Sequence, residues 1–304
     1  MATEATATTT PGRANRTSET TVWQHRTRRR QGTPRWMMAL AGAVIALVFL
    51  APYLIMVIGS FKRRSEILGI PPTYLPTEWV PSNYLTMWST PETPLPYNMV
   101  STIVISVGGT LLVLAVALPA AYYTARHRFP GKWVFLLLVL ITQMLQPTVL
   151  AAGLFRQFQA AGIYDTWLAM ILVNGAFNLS FAVWIMHSFF AGVPREVDEA
   201  AMMDGASKLQ ILRRITLPLV WPGIVTAVIF AFVASWNEFA ASLVILTTAE
   251  NQPLSVAITK FVGQYDSAWQ YVFGVSIVGI VPVVILFAIV EKRLVAGLTA
   301  GAVK

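Results

Sequence analysis

Six stretches of this chain are long, apolar and almost free of charge: Trp36–Ile58, Met99–Ala125, Trp133–Phe155, Thr166–Phe190, Pro222–Leu246 and Ala268–Val290. A helix that crosses a bilayer needs about 20 such residues. Lipid offers no partner to an unpaired backbone N–H or C=O, so each stretch is read as a helix that satisfies itself. The fold class predicted is an all-α membrane protein with six transmembrane helices. Composition agrees. Only 12% of the residues are charged and 56% are hydrophobic, whereas a soluble domain carries about 25% charge. Pro52, Pro119, Pro147 and Pro282 fall inside the stretches and predict kinks that neighbouring helices accommodate.

The net charge of +8 is not read as a nucleic-acid footprint, because most of the Lys and Arg residues sit in short segments beside the apolar runs. That arrangement sets topology. If six helices cross, seventeen of the 22 Lys and Arg fall on one side and five on the other. The bias predicts both termini and the Pro194–Trp221 loop in the cytoplasm. Lys62, Arg63 and Arg64 run against the rule. The chain has no cysteine, which removes disulfides and thiolate metal sites and leaves the redox compartment open.

Residues 1–35 are rich in Thr, Ala and Arg and lack periodicity. They read as a disordered basic tail able to meet anionic lipid headgroups. The apolar run that follows is too long for a signal-peptide core and reads as an uncleaved first helix. Between Gly59 and Asn98, prolines argue against regular structure. There Trp79, Tyr84, Trp88 and Tyr97 are expected at the membrane surface; a partial role in meeting an external substrate-delivery protein is the alternative.

The stretch Glu196–Pro222 is charged, yet its pattern is helical. Pro194 suits a helix start, and Glu196 and Asp198 favour the positive end of the dipole. Asp204-Gly205 breaks the helix, since glycine adopts left-handed dihedrals cheaply. Ser207 can cap a second helix. Its apolar side is expected to be Leu209, Ile211, Leu212 and Ile215. Arg213 and Arg214 sit near its end, and Leu217-Pro218 stops it. The prediction is a hairpin of two short helices spanning 194–222.

Glu199, Ala200, Ala201, Asp204, Gly205, Ala206, Leu217 and Pro218 resemble the EAA loop of permease subunits of ABC importers. Beyond the hairpin, Ser60–Lys62 (SFK), Phe129–Lys132 (FPGK), Trp236–Phe239 (WNEF) and the ending VAGLTAGAVK are similar to carbohydrate-uptake permeases of the maltose type. The resemblance implies a type I importer permease fold over 36–292 and a hairpin that docks into a groove of an ATPase subunit. It also implies a cytoplasmic tail over 293–304 reaching the ATPases, with Gly297, Gly301 and Lys304 as contacts. The implied partners are a second permease, forming a heterodimer, two ATPase subunits and an extracellular solute-binding protein. The implied location is a bacterial or archaeal plasma membrane, and the implied cargo a sugar or related polyol. Glycerol phosphate or another small solute is the alternative within the class, and a stand-alone secondary transporter the alternative outside it.

No GxxxxGK[ST] loop is present, so ATP and Mg²⁺ are expected on the partner ATPase, with no cofactor or catalytic residue in this chain. There is neither an HExxH pair nor a GxSxG elbow. Among the polar residues inside the apolar stretches are Gln143, Gln146, Asn174, Asn178, Asn237 and Glu238. They read either as hydrogen-bonding ties between helices or, for Asn174, Asn178, Asn237 and Glu238, as the lining of a sugar path.

Overall fold

The computed structural model describes residues 35–90, 93–145, 147–263 and 267–300, without the side chains of residues 35 and 291–300. The described residues form helices and turns with one isolated bridge, Val262 to Ser267. The expected N-terminal tail lies outside them, apart from Arg35, as do Gln146, Gly301 and Lys304.

In order, the helices are α1 (Arg35–Ser60), α2 (Arg64–Ile67), α3 (Asn83–Thr86), α4 (Leu95–Arg126), α5 (Lys132–Gln143), α6 (Pro147–Ala160), α7 (Trp167–Gly192) and α8 (Arg195–Met203). There follow α9 (Lys208–Leu219), α10 (Trp221–Trp236), α11 (Ala240–Ile245), α12 (Leu254–Ala257) and α13 (Trp269–Ala300). The described residues fall into two units, one up to Leu50 and the other from Ala51 on; the central packing and the hairpin lie in the second.

Among the described residues, four helices are long and apolar enough to cross a membrane singly: α1, α4, α7 and α13. Two bent pairs, α5 with α6 and α9 with α10, bring the number to six if each pair counts as one span. Their axes differ by 93° and 79°. In the second pair the limb suited to lipid is α10, because α9 carries Lys208, Arg213 and Arg214.

Two of the predicted spans are therefore not single rods. The third breaks between Gln143 and Pro147, where proline opens α6. Its fixed φ and missing N–H suit a first turn. The fifth ends at Trp236 and resumes as α11. Pro52, Pro119 and Pro282 sit inside continuous helices. The last helix runs on to Ala300, so Gly297 is helical rather than part of a loose tail.

The centre is built on small residues. Val113, Ala117, Ala121 and Ala125 recur every four residues along α4, so they share one face. They pack with Ala182, Val183, Met186 and Phe190 of α7 and Ile224, Ala227 and Ala231 of α10. Small side chains let helix backbones approach where lipid gives no hydrophobic drive. Gly223 marks such an approach, for a Cβ there would collide with the Phe189 ring. Thr102, Ser106 and Thr110 each donate to the carbonyl four residues back at 2.7 Å, keeping buried hydroxyls satisfied.

The Pro-rich segment after α1 is tied down by its own polar groups. Lys62 is buried and donates to the Thr73 carbonyl and, at 3.2 Å, to Thr73 Oγ1. Arg63 pairs with Glu78 at 2.6 Å. Lys62 and Arg63, which run against the charge rule, are thus engaged within the segment. Tyr84 and Trp88 pack on a buried cluster with Met87, Leu95 and Phe261, while Trp79 and Tyr97 are exposed. The four aromatics expected at one surface divide between two environments.

Candidate functional site

The hairpin is formed by α8 and α9. Pro194 stands at the N-cap of α8, with Glu196 and Asp198 in its first turn. The helix ends at Asp204, and Gly205 takes φ +81°. The Gly205 N–H donates to the Met202 carbonyl and the Ala206 N–H to the Ala201 carbonyl, both at 3.0 Å. This is the Schellman closure, which needs a left-handed residue and so favours glycine. Ser207 then opens α9 with a reciprocal box. Its N–H donates to Gln210 Oε1 at 2.8 Å, and the Gln210 N–H donates to Ser207 Oγ at 3.4 Å. Two orphan donors are satisfied within four residues.

Of the EAA-like residues, Glu199, Ala200, Asp204, Gly205 and Pro218 are exposed, Ala206 and Leu217 are half-buried, and Ala201 is buried. The apolar side of α9 differs from expectation at one position. Ile211 is buried and Leu212 and Ile215 are half-buried, but Leu209 is 72% exposed. It lies two residues from Ile211, about 200° around the helix, so it cannot share that face. With Met203, 88% exposed, it gives the hairpin a bare apolar tip.

Sequence reasoning missed how the hairpin is held. Arg126, the last residue of α4, is half-buried, with little of its side chain exposed. Its Nε lies 2.8 Å from Asp198 Oδ2, with the two side chains 8% and 11% exposed. Arg126 Nη1 donates to the Val193 carbonyl, just beyond α7, at 2.7 Å. Fully buried Thr216 donates to Asp198 Oδ1 and to the Ile211 carbonyl, each at 3.3 Å. The second of these bonds reaches five residues back, within the π-helical turn Leu212–Thr216. In the sequence Arg126 had counted only as a topology charge, and Asp198 only as a dipole charge.

The four path candidates separate. Asn174 is buried, and its Nδ2 has no partner among the described residues. Gly109 lies against both Asn174 and Ser235, and Asn178 Nδ2 donates to Ser235 Oγ at 3.3 Å. Asn237 is exposed and donates to the Val233 carbonyl of its own helix at 2.8 Å. Glu238 does not lie within a helix as the apolar pattern suggested; it precedes α11. Its Oε1 accepts from the Ala241 N–H at 2.8 Å. Its Oε2 accepts from the Ser242 N–H at 2.9 Å and from Ser242 Oγ at 2.7 Å. The carboxylate caps the helix that restarts after the break.

Residues 117–296 match the family model described as "Binding-protein-dependent transport system inner membrane component". That range runs from α4 through the hairpin into α13 and covers more than half of the chain. The chain belongs to this family. Among relatives of this inner membrane component is the inner membrane ABC transporter permease protein YcjP of Escherichia coli, 32% identical over 262 residues, 86% of this chain and 94% of that one. Another is the trehalose/maltose transport system permease protein MalG of Thermococcus litoralis, 30% identical over 271 residues, 89% of this chain and 97% of that one. A chain in the crystal structure of a bacterial ABC transporter involved in import of the acidic polysaccharide alginate superposes with a TM-score of 0.71 at 22% identity, covering 85% and 95% of the two chains. The inner membrane component described here thus shares its fold as well as its family with importer permeases.

Proposed function

We propose that this subunit is half of the translocation pathway of an ABC importer for a sugar or related polyol in a bacterial or archaeal plasma membrane. An extracellular binding protein delivers the substrate, a second and different permease completes the pathway, and two ATPase subunits bind ATP and Mg²⁺. No catalytic step falls on this chain. The hairpin and both termini face the cytoplasm, in keeping with the Lys and Arg bias. ATP binding draws the ATPases together and the hairpins with them, and the helices reorient to release substrate inward. The sugar assignment draws on the trehalose/maltose permease among the relatives.

The observation that carries the reading is the construction of the hairpin. A Schellman turn and a capping box fix two short helices, and Met203, Leu209 and Glu199 are exposed on them. Apolar groups so displayed suit a partner's groove. The test is Gly205→Asp and Glu199→Lys in the assembled importer. Open space surrounds Gly205, so the aspartate costs backbone strain of about 1–2 kcal/mol without a clash. Both variants are expected in the membrane at normal level with uptake abolished. Normal uptake with unchanged ATPase stimulation in both would sink the docking role.

A further inference from the structure

The covalent chain joins the hairpin to α7 through Val193 and to α10 through Val220, but not to α4. The buried charge pair adds that connection. One guanidinium, fixed at the end of α4, holds the carbonyl that ends α7 and the carboxylate of α8. The same carboxylate receives the hydroxyl of Thr216 from α9. Four helix ends meet on two side chains. α4 and α7 are the helices that share the small-residue face at the centre, and α10 packs against both.

We propose that Arg126 is a positioning residue for transport: through Asp198 it makes the hairpin and the ends of α4 and α7 move together, so that a displacement of the hairpin turns the central helices as one body. This deepens the docking role of the hairpin and rests on it. Arg suits the task because one N–H of its planar guanidinium holds the Val193 carbonyl while the delocalised charge lies beside the Asp198 carboxylate. Asp198 suits it because its two oxygens face different partners. Asp198 and Thr216 are buried and little of the Arg126 side chain is exposed, which limits access of water to the three contacts. The π-helical turn has a reason in the same terms, since the extra residue in that turn brings Thr216 to the carboxylate. Any element of this set that slackened would let the hairpin tilt between its joints at Val193 and Val220 without moving α4.

The experiment uses the complete importer in proteoliposomes. It measures three quantities: recovery of the assembled complex, ATP hydrolysis stimulated by loaded binding protein, and substrate accumulated per ATP hydrolysed. For Arg126→Gln and Asp198→Asn the expected result is stimulated hydrolysis with transport per ATP reduced about tenfold, the scale of a typical coupling energy. The double variant is expected to be no worse than either single one, because both remove one connection. Arg126→Lys, which keeps charge but loses the planar guanidinium, should fall between. Should the charge variants fail to assemble, Thr216→Val decides, as it removes one hydroxyl at constant shape; a fall in transport per ATP supports the connection. Unchanged transport per ATP in every variant that assembles would overturn the proposal and leave the pair a packing feature. Failure of the docking role is distinguished by Gly205→Asp, whose normal uptake would remove the premise before Arg126 is tested.

Discussion

At one end of α4, the Arg126 side chain is tucked against a single carboxylate and a single carbonyl. At the other, Asn98 Nδ2 donates to the carbonyls of Ala249 at 2.6 Å and Gln252 at 2.7 Å. Nearby, Ser101 Oγ donates to the Glu250 carbonyl, and the Leu254 N–H donates to Thr102 Oγ1, both at 2.8 Å. Asp165 holds the same loop from the start of α7, accepting from the Thr247 N–H at 2.8 Å and the Thr248 N–H at 3.1 Å. The 32-residue helix separates the two ends by about 48 Å. The hairpin is internally complete and hangs on few tethers. The opposite loop has little structure of its own and is stapled at many points. A part that must be driven as a unit gains from the first construction. A part that must hold its shape while helices move beneath it gains from the second.

The sharpest way to break this contrast is to remove one tether at each end. Asp198→Ala leaves a buried guanidinium unpaired and is expected to cost about 3–5 kcal/mol. Asn98→Ala leaves two loop carbonyls without a donor, and its expected cost is about 2–3 kcal/mol. Thermal unfolding of the purified importer in detergent measures both. Limited proteolysis separates them further, with new cleavage near the hairpin for the first and in residues 247–252 for the second. Equal loss with identical cleavage patterns would mean the two ends are not independently fastened.

The contrast also explains what was legible in the sequence. Every signal that shapes the hairpin lies inside a short window: Pro194, the Asp204-Gly205 break, and Ser207 with Gln210 in reach. Periodicity and cap chemistry describe such local structure well. Arg126 and Asp198 belong to different windows, and nothing in either one announces the other. The same holds for Asn98 and its loop. Glu238 was misplaced for a different reason. Apolar residues continue on both sides of it, so hydropathy alone draws one uninterrupted span, whereas the chain breaks at Asn237. A readable clue was there: an acid three and four residues ahead of Ala241 and Ser242 is cap chemistry, and it marks a helix start even within an apolar run.

Glu238 gives a prediction of intermediate size. Its carboxylate satisfies two backbone N–H groups of α11 and one hydroxyl, and its own carbonyl accepts from Ser255 Oγ at 2.7 Å. Glu238→Ala is expected to cost about 1–2 kcal/mol, the range for a lost helix cap, and Glu238→Gln less. A residue whose whole role is the cap should alter uptake only in proportion to the complex recovered. If Glu238→Ala instead lowers uptake at full recovery with ATPase stimulation intact, the carboxylate also serves the substrate path.

The smallest effect concerns Asp165, and it carries a pH signature. Partial burial pushes its carboxyl upward. Hydrogen bonds from the Thr248 side chain and backbone, the Thr247 backbone and Asn251 outweigh this and hold it below the usual carboxylate range. A group whose pKa is lowered by folding contributes stability in full above its unfolded value, about 4. That contribution is lost as pH falls through the lower folded value. The loop at 247–251 should therefore be held fully at neutral pH and loosen only in strong acid. Asp165 sits at φ +59°, which Asn tolerates better than most residues, so Asp165→Asn isolates the charge from the backbone. Exchanging charged for neutral acceptors is expected to cost about 1 kcal/mol at pH 7, with the difference from wild type vanishing only once pH has fallen through the lowered folded value. Hydrogen exchange at the Thr247 and Thr248 amides across that range reads both. Equal protection in the variant and wild type at neutral pH would show that α4, through Asn98, Ser101 and Thr102, fastens the loop by itself.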